Sequence, residues 1–494
     1  MKIWFDKTSA YQPPGDEYAD CTCPAFYSRQ TEGELFEDIQ TGLFEQSTPL
    51  YIRQYDNERW LACHPTGSGK IVVLDQPARF LLEQFQKPRT LFQVMQIVPG
   101  RSVETIERAI VVFLRVGILQ NVCATAPLYE WIEDESLTVW MHITNACNLR
   151  CSYCYLHKTS EHMADDTARR SIDAVFRSAH KHNIKRVKLK YAGGEASLFM
   201  PRVIALHDYA AQVAQSYDIS LEAILLSNGV VLSQHAIDAL KARQIHVMIS
   251  LDGLEADHDS QRPFLNGRGS SQYVVRTIER LLANALIPRI SITVSSRNLE
   301  GLPKLMEYVL ARDMPFTISY YRENECSAHI RDLRFEEEGM IAAMRSVFEV
   351  IERHLPQRSL LGCLLDRTHV STRRNRTCGV GYNYLVIDQH GGVAKCQEDI
   401  KRRITTIEAD DPLQFIRDDR DGVQGFSVDD KEGCRACEWR YWCAGGCPLL
   451  TYKVTGRYDV KSPNCTIYKA LFPDVLRLEA ARLLQYVPPI VLEM

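Results

Sequence analysis

The chain has no apolar run near the ~18 residues that a membrane span needs. Its best candidate, Ala109–Leu119, is short and carries Arg115 in its middle. The opening stretch, MKIWFDKTSAYQPPGDEYAD, lacks the apolar centre of a secretory signal. A surplus of charge of one sign is also missing. Lys and Arg number 58 against 62 Asp and Glu, a formal net charge of −4. There is therefore no global basic field for nucleic acid. No repeat or low-complexity block is visible. With 45% hydrophobic and 24% charged residues, disorder, collagen and coiled coil are excluded as the overall class. At 494 residues the chain is too long for one core, so two or three domains are expected. These absences predict a cytoplasmic protein whose partners include neither membrane nor nucleic acid.

Cysteine is what the chain has in quantity: sixteen residues. In a reducing compartment, clustered cysteines read as metal ligands or redox groups rather than as disulfides. Eleven of the sixteen fall in two clusters or just before the second. The first holds Cys147, Cys151 and Cys154. The second field holds Cys363, Cys378, Cys396, Cys434, Cys437, Cys443, Cys447 and Cys465. Cysteines that merely pack would scatter. Cys21 and Cys23 form a separate C-x-C pair with no nearby partner ligand.

Residues 1–47 carry three Lys/Arg against nine Asp/Glu and read as an acidic N-terminal arm or lid, with one short helix near Glu34–Phe44. Residues 48–122 read as a winged-helix-like domain. Short strands are expected at Tyr51–Tyr55, Arg59–His64 and Lys70–Leu74, with a turn at 65–69. Helices follow at Pro77–Phe85, Leu91–Val98 and Val103–Val116, with Thr90 and Ser102 as N-caps and Ile118–Val122 as a closing strand. A DNA-binding winged helix is disfavoured. Val103–Val116 has only Arg108 and Arg115 as basic residues, beside Glu104 and Glu107.

Residues 135–320 alternate strand and helix. Strands are expected at Leu137–Ile143, Arg186–Tyr191, Ala223–Leu226, His246–Ile249, Arg289–Val294 and Phe316–Tyr320. Helices are expected at Asp166–Asn183, Pro201–Ser216, Ser233–Arg243, Tyr273–Leu286 and Leu302–Arg312. Repeated βα units with right-handed crossovers give an α/β fold, a parallel sheet curled into a full or partial barrel. Chemistry in such folds sits on loops after the strands' C-terminal ends. A helical linker at 321–362, with a helix near Glu336–His354, leads to a cysteine-rich region at 363–465. A helix near Pro473–Gln485 and an apolar tail complete 466–494.

The first cluster reads C-x3-C-x2-C directly after the first expected barrel strand. Three thiolates can wrap one face of a [4Fe–4S] cubane and leave one iron open for chemistry. Structural zinc prefers two separated pairs that close a tetrahedron. With Tyr153 as the aromatic, C-x3-C-x-aromatic-C resembles the cluster motif of the radical S-adenosylmethionine (SAM) superfamily, over about 135–320. The resemblance implies a partial (β/α)6 barrel, SAM chelated to the open iron, and one-electron cleavage of SAM to methionine and a 5′-deoxyadenosyl radical. It also implies roles in SAM binding beside Tyr153. Gly193-Gly194-Glu195 resembles the loop that holds the SAM amino group, although Ala196 replaces the usual proline. Ser250 and Asp252 resemble the loop near the ribose. Arg262 matches a residue that pairs with the SAM carboxylate, and Ser227 and Asn228 are weaker matches.

The second field, C-x12-G-x4-C, then C-x2-C-x5-C-x3-C and a trailing Cys, resembles the SPASM extension of these enzymes. The resemblance implies two auxiliary [4Fe–4S] clusters and hence three in all. One would use Cys434, Cys437, Cys443 and Cys465. The other would use Cys378, Cys396, Cys447 and an upstream ligand, for which Cys363 is the candidate and Cys326 or an open iron the alternatives. A zinc ribbon is the bland reading of the same cysteines.

Residues 48–122 resemble the peptide-recognition element related to the peptide chaperone of pyrroloquinoline quinone biosynthesis. The match lies in Arg59–Leu74, the helix start at Asp75–Ala78, and Glu107–Gln120 with its FLRVGIL ending. It implies binding of a precursor's leader as an added strand, expected along Lys70–Leu74. The implied activity is an oxidoreductase maturing a ribosomally made peptide through a thioether or carbon–carbon crosslink. A flavodoxin- or ferredoxin-type protein would supply electrons. An anaerobic sulfatase-maturating enzyme is the nearest alternative. That family places a base aspartate directly after the Cys of G-x4-C, and here Gln397 follows Cys396. A non-catalytic iron–sulfur peptide carrier is the other, and it would need no SAM pocket.

Overall fold

The computed structural model describes residues 1–6, 26–30, 39–98, 100–123, 129–133, 135–370 and 372–493. Cys21, Cys23 and most of the acidic arm lie outside the described residues. The barrel wall consists of six parallel strands, Ser136–Thr144, Arg186–Gly193, Ser220–Ser227, His246–Ser250, Arg289–Val294 and Phe316–Tyr320. They neighbour one another in chain order. The crossovers contain the helices Asp165–Lys181, Met200–Tyr217, Gln234–Ala242, Ser271–Ala283 and Leu302–Leu310. Leu137, Val139, Met141 and Ile143 on one face of the first strand, and Thr138 and His142 on the other, are all fully buried, as expected of a strand covered on both faces. On the first helix, Ala168, Ile172, Val175, Phe176 and Ala179 form the buried stripe that seats it on the sheet.

The sheet continues past the barrel. Tyr384–Ile387 runs parallel to the first barrel strand, with Tyr384 opposite Thr138. Gly392–Ala394 and Thr405–Thr406 then add antiparallel, giving nine strands. The cysteine-rich region is therefore joined to the barrel by backbone hydrogen bonds.

Ahead of the barrel, Tyr51–Gln54, Arg59–Cys63 and Ile71–Asp75 form an antiparallel meander. The helices Gln76–Glu83, Leu91–Ile97 and Val103–Val116 follow. Thr90 makes a capping box with Gln93, and Ser102 accepts the N–H of Thr105.

Several expectations are corrected. Lys2–Trp4 is a strand rather than part of a loose arm. It pairs with Ile71–Asp75 because Ile3 and Phe5 find a buried apolar site there. Leu43–Gln46 is a strand where the end of a helix was expected, and of its four residues only Phe44 is buried. It pairs with Leu119–Asn121, so the closing strand joins this small sheet instead of the meander. The last helix runs Cys465–Tyr486 with Pro473 inside it. Packing against the helix Glu337–Arg353 overrides the proline's local cost. Ile490–Val491 pairs with Lys2–Trp4. Ile71–Asp75 is thus an interior strand, and the edge expected to receive a leader is filled by the chain's own termini.

Candidate active site

The residues singled out in the barrel converge at the C-terminal mouth of its strands. The cysteine loop leaves the first strand and is pinned across the mouth to the loop at 261–263. The Arg150 N–H donates to the Pro263 carbonyl (2.8 Å) and the Ser152 N–H to that of Gln261 (2.9 Å). Cys147, Cys151 and Cys154 are half-buried and face one another electrostatically. Burial pushes the Cys151 thiol up to about 12, against the pull of the Arg262 guanidinium. Donors already address the sulfurs. Lys158 Nζ lies 3.0 Å from Cys154 Sγ, and the Leu149 N–H lies 3.4 Å from Cys147 Sγ. Asn228 Nδ2 is 3.8 Å from the same sulfur.

The two glycines after the second strand seat this loop. Gly193 has φ +134°, and a Cβ there would lie 2.4 Å from the Thr144 carbonyl oxygen. A Cβ on Gly194 would lie 2.3 Å from that of Ala146. The Gly194 and Glu195 N–H groups donate to those carbonyls, at 2.6 and 2.8 Å. Glu195 is almost fully buried. Its carboxylate accepts from Ser227 Oγ (2.8 Å), the Asn228 N–H (2.7 Å) and the Ser197 N–H (3.1 Å). A carboxylate offers about four lone-pair sites, so one remains for an ammonium. Ser227 and Asn228 are thus the partners of Glu195, a link the sequence did not reveal.

Asp252 is fully buried on the loop after the fourth strand. Its Oδ1 accepts from the Thr293 N–H (2.8 Å) and its Oδ2 from the Tyr153 hydroxyl (2.6 Å). Arg262 Nη1 reaches both the Tyr153 hydroxyl and Asp252 Oδ2, the latter at 3.6 Å. Burial raises the Asp252 carboxyl, with Arg262 and Tyr153 acting against it. Ser250 is half-buried at the end of the fourth strand. Among the described residues Arg262 Nε is a buried donor with no hydrogen-bond partner. An incoming carboxylate would satisfy it. A three-thiol loop with donors on its sulfurs, a glutamate with one acceptor site left and an orphaned guanidinium N–H fits a cluster together with an amino acid ligand.

The second cysteine field is ordered by the extended sheet. Cys378 precedes Tyr384–Ile387 and Cys396 follows Gly392–Ala394. Gly391, at φ +84°, turns the chain between the two strands. Cys378, Cys396 and Cys447 share one buried cluster. Cys434, Cys437, Cys443 and Cys465 are neighbours in a second group. Cys363 is buried in the main core, its thiol 3.4 Å from the Leu360 carbonyl. Cys326 faces His157 (3.5 Å) on the side of the first cysteine loop. Trp439 and Trp442 pack on Phe472 beside the second group, and Trp439 also meets Tyr51, ring centroids 5.3 Å apart. No disulfide links the fourteen cysteines among the described residues.

Residues 141–307 match the model of the radical SAM superfamily. The barrel is a radical SAM domain. The chain is 27% identical over 35% of its length to the uncharacterized protein MJ0907 of Methanocaldococcus jannaschii. The alignment covers 57% of that protein. It is 23% identical to AlbA, the antilisterial bacteriocin subtilosin biosynthesis protein of Bacillus subtilis, over 51% of this chain and 53% of AlbA. The chain thus spans about half the length of these two relatives. Among solved structures, anSMEcpe with bound AdoMet and the Cp18Cys peptide superposes with a TM-score of 0.57 at 18% identity. That match covers 70% of this chain and 99% of the other, and it shows the shared fold. No helix of the described residues is long and apolar enough to cross a membrane.

Two further residues, Lys158 and Arg322, were not singled out by the sequence. Lys158 could have been noticed four residues after Cys154. Arg322, bound to Asp366 (2.6 and 2.7 Å) and facing Glu398, gave no local signal, because its partners are 44 and 76 positions away in the chain.

Proposed function

We propose that this radical SAM protein is an oxidoreductase that modifies a ribosomally made precursor peptide, forming a thioether or carbon–carbon crosslink. Cys147, Cys151 and Cys154 would hold a [4Fe–4S] cluster. Cys434, Cys437, Cys443 and Cys465 would hold one auxiliary cluster, and Cys378, Cys396 and Cys447 the other, with Cys363 as the proposed fourth ligand. A cluster held there, with SAM bound and one electron from a flavodoxin- or ferredoxin-type protein, would supply one-electron cleavage of SAM to methionine and a 5′-deoxyadenosyl radical.

The chain's own residues orient that ligand. Arg262 Nε offers the unused donor for the SAM carboxylate. Tyr153 and Asp252 fix the guanidinium, so its geometry exists before SAM arrives. Glu195, locked by Ser227 and Asn228, presents its remaining lone pair to the amino group, and Ser250 lies by the ribose. Lys158 and Asn228 offset thiolate charge on the sulfurs they touch. The observation that carries the reading is the orphaned Arg262 N–H beside the three-cysteine loop, with a second cysteine field on the same sheet. AlbA, named for bacteriocin biosynthesis, supports the peptide class.

The leader is proposed to bind residues 48–122 by strand addition. Because Lys2–Trp4 occupies the Ile71–Asp75 edge, such a leader must displace it. The test is incubation of reconstituted enzyme, SAM and reductant with the peptide encoded by a short reading frame beside the gene. Loss of a pair of hydrogen atoms from that peptide, seen by mass spectrometry, is expected. Formation of an aldehyde at a cysteine or serine instead would assign the sulfatase-maturating chemistry.

A further inference from the structure

Lys431 is only 1% exposed, although an ammonium in a protein interior is costly unless opposite charge lies close by. Among the described residues no carboxylate forms an ion pair with it. Among the described residues its ammonium makes one hydrogen bond, and that is long, Nζ to the Gly445 carbonyl at 3.4 Å. Asp459, a carboxylate that Lys431 influences, is itself bound to Arg457.

What surrounds the lysine is thiol. Gly445 lies in Cys443-Ala-Gly-Gly-Cys447, the loop that joins one proposed cluster site to the other. Lys431 packs so tightly on this loop that a Cβ on Gly445 would lie 2.6 Å from Lys431 Cδ and 2.8 Å from Nζ. The lysine's own carbonyl accepts the Cys434 N–H at 3.1 Å, at the turn that presents the first cysteine of the second group. Its electrostatic neighbours are Cys434 and Cys443 of one group and Cys447 and Cys378 of the other. A buried cation held between two sets of thiolates has a role only if both sets carry negative charge.

We propose that Lys431 is a fixed positive charge shared by the two auxiliary clusters, holding both at a higher reduction potential than the same ligands would give without it. The proposal rests on the reading that both cysteine groups bind [4Fe–4S] clusters. Each such cluster becomes more negative by one unit on reduction. A cation at short range in a low-dielectric interior favours the reduced form. Lys431 is then a positioning residue for charge and touches no substrate.

The experiment uses the full chain, reconstituted anaerobically, as parent, Lys431→Met and Lys431→Arg. Iron is counted first. Each protein is then titrated with dithionite through redox mediators while the cluster signals are followed by electron paramagnetic resonance. Iron-replete Lys431→Met should show at least tenfold less reduction of both auxiliary clusters at fixed potential, about 59 mV for a one-electron couple. Lys431→Arg should titrate close to the parent, and the signal of the Cys147–Cys154 cluster should not move. Unchanged auxiliary potentials in Lys431→Met, or a shift in one auxiliary signal only, would overturn the proposal. If the Met variant binds less iron than the parent, Lys431→Gln decides by the same criterion. A parent holding only about four irons would overturn the auxiliary-cluster reading itself. The iron count therefore separates the two failures.

Discussion

Arg262, Tyr153, Asp252 and His258 form one buried unit, and each can be tested singly. Tyr153→Phe removes the hydroxyl that donates to Asp252 and leaves a buried acceptor short of a partner, at about 1–3 kcal/mol. Chemical denaturation should show that loss, and SAM affinity should fall because Arg262 is no longer held. The His258 ring is neutral in the fold. Its Nδ1 accepts the Asp252 N–H (3.3 Å), and its Nε2 meets Ser270 Oγ (3.1 Å). Burial pushes its pKa down to about 3 from 6.5. A depressed histidine pKa means the unfolded chain binds the proton first. The associated stability is full above pH 6.5 and is lost as pH falls toward 3. Between about pH 6.5 and 4 that loss is about 3 kcal/mol. His258→Asn keeps an acceptor toward Asp252 and should flatten the acid limb of a stability-versus-pH curve. A curve parallel to the parent's would mean that the histidine takes up its proton in the fold as readily as in the unfolded chain.

At the level of elements, two glycines and one strand carry the account. Gly194→Ala drives a methyl into the Ala146 carbonyl, which is backbone and cannot swing aside. It should therefore lower iron bound at the first cysteine loop, measured as iron per chain, even in protein that remains folded. Removing Met1–Phe5 exposes the Ile71–Asp75 edge. Leader peptide should bind the truncated protein more tightly by isothermal calorimetry, and unchanged affinity would place the leader elsewhere. Ile3→Asp tests the same contact through stability, since it buries an unpaired charge in a site now fully apolar. The barrel strands and helices were legible because their apolar positions recur at strand and helix spacing and follow one another in repeated units. Lys2–Trp4 and Ile490–Val491 were not, because three and two residues carry no period and their partners lie at the far end of the chain. The pairing of Glu195 with Ser227 and Asn228 was hidden for the same reason. Each residue is an ordinary loop residue until the barrel brings neighbouring strand ends together.

Across the whole molecule, one sheet runs from the sixth barrel strand to Thr405–Thr406, so the first cysteine loop and Cys378 and Cys396 of the second field flank strands of a single sheet. The cysteine spacings were readable, but this continuity was not, because the added strands are only four, three and two residues long. Tyr51 on Trp439 ties the N-terminal meander to the second field. A peptide held there would therefore keep a defined relation to the barrel mouth. This mouth is proposed to perform radical SAM chemistry. The most direct test is the yield of 5′-deoxyadenosine from SAM and reductant, read by liquid chromatography and mass spectrometry, for the parent and the Cys147→Ala, Cys151→Ala, Cys154→Ala triple variant. The parent should form deoxyadenosine and the triple variant none, with about four irons fewer per chain. Deoxyadenosine from the triple variant at the parent's rate would contradict the account.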